Sequence, residues 1–214
     1  DTWKSRGLGD VYKRQRSDHI VVITDDFKEP LSEMGIQMTK VTTIHNWGNL
    51  EEIKIFPKKN EWTIQHNISD TKFRVIYTGT MGFKHNPNLI LELAIKNPDV
   101  EFLVLGTGIG FDSLSEKKAE NIKLMPLQPL DKFAMVLASA DVCIALLEDD
   151  AGVFSVPSKV LNYLCAAKPV LMSGPKENLA SKILVEKNCG LVSDSNDINS
   201  LNDNLQKLKN EKER

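Results

Sequence analysis

The sequence lacks a long apolar run, a charge excess of either sign and enough cysteines for a disulfide framework. Its 214 residues contain 27 Lys and Arg against 29 Asp and Glu, which gives a formal net charge of −2. This balance argues against a basic nucleic-acid binder and against an acidic disordered tail. No stretch approaches the roughly 20 apolar residues that cross a bilayer, and the first residues lack the apolar run of a signal peptide.

The remaining composition is typical of a soluble globular protein, with 41% hydrophobic and 26% charged residues. The three cysteines are an odd number, and Cys143 and Cys165 lie in apolar surroundings, whereas Cys189 has no close cysteine in the sequence. We therefore expect reduced thiols and a cytoplasmic location.

Residues 1–16 do not share the patterns of the rest of the chain. The string DTWKSRGLGDVYKRQ shows neither a period of two nor one of 3.6, and it resembles translated adaptor sequence of the kind that contaminates assembled reads. We therefore expect a non-native leader here and a natural protein that is truncated at its N-terminus.

The next segment, 17–71, begins with regular structure and then becomes polar. The run HIVVI at 19–23 predicts a buried strand, Thr24 can cap a helix that stops at Gly35, and residues 40–44 predict another strand. Few apolar positions follow, so this part is interpreted as a linker whose tryptophans pack between two lobes.

From residue 72 to residue 214, apolar strands alternate with amphipathic helices. This order predicts an α/β fold, with a Rossmann-like parallel sheet and helices on both faces. The predicted strands cover 73–77, 102–105, 142–147 and 170–172, and the predicted helices begin near 87, 130, 158, 179 and 198.

Ligands of such folds bind where parallel strands end, and the first predicted strand ends in a glycine loop. Gly79 and Gly82 allow backbone N–H groups to approach an anion, and the following helix has Asn86 as its cap. Lys84 and His85 could contact phosphate oxygens. The alternative is a tight turn with two solvated basic side chains.

A second glycine cluster, Gly106-Thr-Gly108-Ile-Gly110, follows the next strand. Its spacing is wrong for the G-x-G-x-x-G dinucleotide fingerprint, which also belongs after the first strand. We expect a turn with close backbone approach, and Gly106 stays a candidate ligand-binding residue because it ends a strand.

The third cluster opens a helix at Pro157 and Ser158. Lys159 places a cation beside the free N–H groups of the first turn, and Asn162 offers an amide that can bind a ribose diol. Together with the first glycine loop, this cluster predicts a diphosphate pocket. The alternative is a well-capped core helix.

The order of GTMGFKHNPNLILELA, EFLVLGTG, NIKLMPLQPLDKFAMVLASADV and PSKVLNYLCAAKPVL is similar to the C-terminal half of family 4 glycosyltransferases of the GT-B fold. The resemblance extends over about residues 17–208 and is greatest to bacterial members that build cell-surface polysaccharides. It makes 17–71 the end of the N-terminal lobe with the linker, and 72–214 the nucleotide-sugar-binding domain. Such enzymes transfer a sugar from a nucleotide-diphosphate donor with retention of configuration and without a metal or other cofactor.

The resemblance also implies residue roles. Gly79 and Gly82 would contact the donor diphosphate through their backbone, with Lys84 or His85 as the basic partner. Ser158 and Lys159 would make further phosphate and sugar contacts, Lys84 and Lys159 acting as the catalytic cations. The segment 124–130 would border the nucleobase.

The sequence departs from the family at one pair of positions. Many members carry two glutamates eight residues apart in the third cluster, the first touching the sugar and the second the ribose. This chain has Phe154 and Asn162 there; the amide can still bind a hydroxyl, but the phenyl ring cannot replace a carboxylate.

The leading hypothesis is therefore a retaining glycosyltransferase that acts on a saccharide or lipid-linked acceptor. The resemblance implies a cytoplasmic protein at the inner membrane face, with peripheral membrane contact through its N-terminal lobe. The alternatives are a nucleotide-sugar epimerase of the same fold, for which no acid/base carboxylates can be placed, and a non-catalytic nucleotide-binding domain. The acidic run 148–150 is interpreted as solvated rather than metal-binding, and no zinc-ligand spacing joins the histidines to the cysteines.

Overall fold

The computed structural model describes residues 14–48, 51–82, 85–117, 119–149 and 158–212. The chain divides into two compact units, Asp1–Trp47 and Gly48–Arg214. The predicted leader lies almost entirely outside the described residues.

The smaller unit contains a parallel pair of strands, β1 (Ile20–Val22) and β2 (Val41–Thr43). Helix α1 (Lys28–Glu33) lies between them, with one 3-10 turn before it and another after it. As the sequence predicts, the Thr24 hydroxyl accepts a hydrogen bond from a backbone N–H of the first turn. Gly35 follows the helix with φ +77°, the left-handed conformation that glycine favours. A small apolar cluster that includes Leu31 and Val41 holds this unit together.

The larger unit contains six strands and seven helices among its described residues. The strands are β3 (Phe73–Thr80), β4 (Val100–Thr107), β5 (Ile122–Met125), β6 (Val142–Leu146), β7 (Val170–Ser173) and β8 (Gly190–Ser193). The helices are α2 (Glu61–Gln65), α3 (Pro87–Lys96), α4 (Ile109–Glu116), α5 (Leu130–Ala138), α6 (Ser158–Cys165), α7 (Leu179–Glu186) and α8 (Ile198–Lys212).

The six strands form one sheet in the order β5-β4-β3-β6-β7-β8, and every neighbouring pair is parallel. The chain moves outward from β3 to β5 and then returns to the other side of β3 with β6. The order therefore reverses between β3 and β6, and open α/β sheets bind ligands in the crevice at such a switch point.

Successive side chains of each strand pack on opposite faces, which gives two separate cores. One contains Ile76 and Cys143 with side chains of α2, α5, α6 and α7, and the other contains Val75 and Ile144 with side chains of α3, α4 and α8. Burial on both faces explains why the central strands are continuous apolar runs. The α/β prediction, a parallel sheet with helices on both faces, is confirmed.

Residues 48–71, which the sequence predicts as a linker, lie within the larger unit. The short helix α2 places Trp62 in the core with 1% of its surface exposed, and its indole N–H donates to Gln128 Oε1 at 3.0 Å. The Lys58 ammonium lies 2.5 Å from the Asp141 carboxylate. Trp47, the last residue of the smaller unit, is 81% exposed.

No described helix is long and apolar enough to cross a membrane.

Candidate functional site

The candidate site lies at the carboxyl ends of β3 and β6, because the strand order reverses between these two strands. Strand β3 ends in Gly79-Thr80, and Gly79 has φ +115°, a conformation that side-chain-bearing residues rarely adopt. Helix α6 follows β6 along the chain and brings Lys159 to this edge. A ligand bound here would meet backbone from one side of the switch point and a cation from the other.

Lys159 lies across Gly79. A Cβ atom built on Gly79 would be 3.7 Å from both Cε and Nζ of Lys159. The Lys159 ammonium donates a hydrogen bond to the Tyr77 hydroxyl at 2.7 Å and lies 4.0 Å from the centre of that ring. The structure therefore brings together Gly79 and Lys159, which the sequence analysis takes from two clusters and assigns to one pocket.

The side chain of Tyr163 fixes α6 against the end of β3. Its hydroxyl accepts a hydrogen bond from the Thr78 N–H at 3.0 Å, and the side chain is fully buried. Tyr163 lies one helical turn after Lys159, so both side chains project toward β3 from the same face of α6. This contact sets the distance between the helix start and the glycine turn.

Gly82 and His85 form a second local arrangement. The Gly82 backbone N–H donates to the ring nitrogen Nδ1 of His85 at 3.0 Å. The backbone N–H of His85 donates back to the Gly82 carbonyl at 3.1 Å. His85 is 8% exposed, and its ring packs edge-on to Tyr77 with the ring centres 6.4 Å apart. In this structure His85 is thus hydrogen-bonded to Gly82, a glycine of the loop that the sequence predicts to bind phosphate.

The helix start after this turn matches its prediction. The Asn86 side chain accepts a hydrogen bond from the Asn88 N–H at 3.1 Å, and Pro87 occupies the first helical position of α3. Lys84, the other predicted catalytic cation, lies outside the described residues.

The Gly106 cluster makes the close backbone approach that its spacing suggests. A Cβ atom on Gly106 would lie 2.8 Å from the Gly79 carbonyl oxygen, and one on Gly108 would lie 3.0 Å from the Met81 carbonyl oxygen. Gly108 also has φ +102°. These glycines let the ends of β3 and β4 meet, so the cluster supports the turn at Gly79.

A cavity of about 660 Å³ lies beside this cluster at the carboxyl ends of β4 and β5. Gly106, Phe111 and residues 124–127 are among its lining residues. Most of the segment 124–130, which the resemblance places beside the nucleobase, therefore lines this cavity.

The other members of the third cluster are less closely associated with Gly79. Ser158 is exposed at the first position of α6. Asn162 lines a separate cavity of about 130 Å³ with Leu130 and Phe133 of α5. Phe154 lies outside the described residues.

A cavity of about 420 Å³ lies at the opposite edge of the sheet, where β7 and β8 begin, with Lys168, Pro169 and Gly190 in its lining. It lies at the amino ends of these strands, whereas the switch-point crevice lies at the carboxyl ends of β3 and β6. Because ligands of open α/β sheets bind at the carboxyl edge, we assign the candidate site to the Gly79 crevice.

Among the described residues, no three His, Cys, Asp or Glu side chains are arranged to hold a metal ion. The Glu148 carboxylate accepts a hydrogen bond from the Asn196 amide at 2.7 Å. All three cysteines are free thiols, and burial raises the pKa of the Cys143 thiol far above its ordinary value. A protonated, buried thiol is a poor nucleophile.

Tyr77 and Tyr163 are the residues that sequence reasoning missed. Both carried a signal: Tyr163 is four residues after Lys159 on the predicted helix, and Tyr77 is two residues before Gly79 on the predicted strand. These spacings place each tyrosine on the same face of its element as the predicted site residue.

Comparison with solved structures shows the same architecture. Sucrose-phosphate synthase from Thermosynechococcus elongatus is 13% identical, with a TM-score of 0.76 over 98% of this chain and 54% of that one. HepE from Anabaena, solved in complex with UDP and glucose, is 11% identical, with a TM-score of 0.77 over 95% of this chain and 56% of that one. An α,α-trehalose-phosphate synthase from Burkholderia vietnamiensis is 10% identical, with a TM-score of 0.71 over 93% of this chain and 54% of that one.

The chain thus spans about half the length of these proteins and shares with them the fold of GT-B glycosyltransferases. No curated protein matches its sequence. The family model described as glycosyl transferases group 1 matches residues 58–214. This match covers well over half of the chain, including the whole six-stranded sheet, and the chain therefore belongs to the glycosyl transferases group 1 family.

Proposed function

We propose that this chain carries the donor site of a retaining glycosyltransferase, which moves a sugar from a nucleotide-diphosphate donor to a saccharide or lipid-linked acceptor. The observation that carries the proposal is the position of the Lys159 ammonium over Gly79, at the point where the strand order reverses. A cation beside a glycine turn and a helix start is an arrangement suited to a diphosphate.

The chemistry follows from the charge that develops on the leaving group. When the bond between the sugar and the diphosphate breaks, negative charge accumulates on the phosphate oxygens. The Lys159 ammonium, the N–H groups of the Gly79 turn and the first turn of α6 would stabilise that charge without moving during the reaction. In this proposal Lys84 adds a second cation, and no metal is needed because these groups balance the diphosphate.

The cavity beside Gly106 suits the nucleobase and the adjoining ribose. Phe111 and Leu124 give it apolar walls for a flat ring, and the Asp112 carboxylate and backbone polar groups can fix the ring's orientation. Because HepE was solved with UDP, uridine nucleotides are the first donors to test, with guanosine nucleotides second.

The acceptor and the cellular role rest on the sequence resemblance alone. The proposed acceptor is a cell-surface polysaccharide precursor. The proposed role is in the cytoplasm, with peripheral contact with the membrane. Non-catalytic nucleotide binding remains the competing outcome, and transfer by the full-length protein distinguishes it from catalysis.

The test is calorimetric titration of this chain with UDP, UDP-glucose, GDP and GDP-mannose. We expect one of the two nucleotide series to bind, and Lys159→Ala to weaken that binding by about tenfold or more, as expected for a charge-assisted phosphate contact. In the full-length enzyme the same substitution should lower the transfer rate by roughly 10²–10³.

Lys59→Ala is the matched control, because Lys59 is exposed, precedes β3 and pairs across the surface with Asp70. It should leave nucleotide binding unchanged. Equal affinities for wild type and Lys159→Ala would contradict the proposal.

A further inference from the structure

The Tyr77 side chain makes contacts that a purely structural core residue does not need. It is 1% exposed, yet its hydroxyl oxygen accepts a hydrogen bond from the Lys159 ammonium at 2.7 Å. The centre of its ring lies 4.0 Å from the same nitrogen. One side chain therefore contacts a single cation through both its oxygen and its π-face. Arrangements of this kind restrict an ammonium to a small volume.

The hydrogen-bond directions around the phenol are fixed by chemistry. An ammonium can only donate and a backbone carbonyl can only accept, so the phenol proton points to the Thr80 carbonyl, which lies 3.1 Å from the hydroxyl oxygen. The oxygen lone pairs are then directed at Lys159. Burial raises the pKa of the Tyr77 phenol far above its ordinary value, so this donor and acceptor pattern persists at physiological pH.

Tyr77 also touches the other half of the candidate site. Its ring packs against His85, whose Nδ1 accepts the Gly82 N–H at 3.0 Å. Tyr77 and Gly79 lie two residues apart on β3 and share one face of the strand. The Tyr77 side chain thus contacts both the cation from α6 and His85.

A lysine needs such support because its four-carbon stem is flexible. An unrestrained ammonium would lose conformational freedom on meeting the phosphates, and this loss would reduce affinity. An ammonium that is already held over Gly79 avoids much of the loss.

We propose that Tyr77 is a positioning residue that holds the Lys159 ammonium over Gly79, ready for the donor diphosphate. This inference rests on the proposed donor site and goes beyond it, because it assigns the preorganisation of the cation to one hydroxyl group. In this role the Tyr77 hydroxyl acts on the diphosphate through Lys159, so its removal should weaken diphosphate binding only while Lys159 is present.

A double-mutant cycle tests this dependence. Tyr77→Phe removes the hydroxyl and keeps the ring, and it is combined with Lys159→Ala in calorimetric titrations with UDP and with uridine, or with GDP and guanosine if that series binds. We expect Tyr77→Phe alone to raise the dissociation constant for the diphosphate about five- to tenfold, and to leave that of the nucleoside unchanged. In the Lys159→Ala background, Tyr77→Phe should have no further effect.

A second measurement uses the wild-type protein and is independent of how the variant folds. In lysine-labelled protein, the ε-methylene protons of Lys159, assigned by comparison with Lys159→Ala, should show a nuclear Overhauser effect to the Tyr77 ring protons, because Nζ lies 4.0 Å from the ring centre. The absence of this effect would overturn the inference.

The outcomes separate the two proposals. If neither UDP nor GDP binds the wild type, the donor site and this inference both fail. If a diphosphate binds and Lys159→Ala weakens it, but Tyr77→Phe changes nothing or acts equally in both backgrounds, then the inference fails and the donor site stands.

Discussion

Two glycines near the ends of β3 and β4 have opposite surroundings, although the sequence shows them as similar loop residues. A Cβ atom on Gly106 would meet the Gly79 carbonyl oxygen at 2.8 Å, a backbone atom that cannot move aside freely. A Cβ atom on Gly82 would meet no described atom within 4 Å, and Gly82 is not among the described glycines with positive φ. At this edge of the sheet, Gly106 is thus closely packed, whereas Gly82 has space for a side chain.

This difference predicts opposite stability effects for two identical substitutions. Gly106→Ala should destabilise the protein by about 1–3 kcal/mol because the strand ends must separate. Gly82→Ala should change stability little, or raise it by roughly 0.4–1 kcal/mol, because alanine reduces the conformational entropy of the unfolded chain. Urea unfolding of both variants measures the effect, and a Gly106→Ala variant as stable as the wild type would show that the Gly106 contact is not tight.

The same pair of variants separates stability from ligand binding. If the diphosphate approaches the backbone at Gly82, the added methyl group of Gly82→Ala should weaken UDP binding although the protein remains stable. A stable variant that binds UDP as the wild type does would place the diphosphate away from this turn.

At the scale of whole elements, the start of α3 illustrates how a local signal defines a boundary. The side-chain oxygen of Asn86 accepts a hydrogen bond from the Asn88 N–H. The side-chain nitrogen of Asn86 donates a hydrogen bond to Asn196 Oδ1 at 2.7 Å. The first contact caps the helix, and the second ties the cap to the loop after β8. Both contacts fix the start of α3.

Asn86→Ala should therefore cost about 1 kcal/mol, the usual effect of removing an N-cap. Asn86→Ser keeps a capping oxygen and should recover most of that loss, although it cannot reach Asn196 as an amide does. Thermal or urea unfolding of the two variants gives the comparison, and an alanine variant as stable as the wild type would contradict the assigned cap.

The elements that the sequence predicts and those that it misses differ in burial. β3, β4 and β6 lie in the centre of the sheet, so their apolar runs are long and the strand pattern is unambiguous. β5 and β8 are edge strands of four residues whose side chains are mostly half-buried, and their short mixed sequences give no clear period. Helix α4 begins directly after Gly108, where the glycines indicate only a turn.

The candidate site follows the same rule. Gly79, Asn86 and Lys159 could be predicted because a turn, a cap and a cation each have a local signature. A shared pocket for the glycine loop and the third cluster could also be expected, because parallel strands end at one edge of a sheet. The contacts of Lys159 with Gly79 and Tyr77 could not, because they depend on the strand order that places β3 beside β6. The roles of Tyr77 and Tyr163 depend on the same long-range pairing.

For the molecule as a whole, the segment before β3 belongs to the structural core of the larger unit. Trp62 packs with Ile76 and Leu137, among other residues, and the Asn60 amide donates to the Met135 carbonyl at 3.0 Å. Sequence reasoning missed this because one tryptophan in a polar stretch does not form a periodic pattern. Its burial depends on α5, about seventy residues further along the chain.

Trp62→Ala should consequently destabilise the larger unit by about 3–5 kcal/mol, since it removes a large buried side chain and leaves a cavity. Trp47→Ala is the matched control because Trp47 is 81% exposed, and its effect should stay within about 0.5 kcal/mol. Comparable losses for the two variants in urea unfolding would contradict the assignment of residues 48–71 to the core.

The central claim is that a nucleoside diphosphate binds at the carboxyl ends of β3 and β6, with its phosphates between Lys159 and the Gly79 turn. A crystal structure of the protein with bound UDP, or with GDP if that is the nucleotide that binds, tests it most directly. The account predicts a phosphate oxygen within hydrogen-bonding distance of Lys159 Nζ and of a backbone N–H in residues 79–82. A nucleotide bound elsewhere, for example in the cavity where β7 and β8 begin, would contradict it.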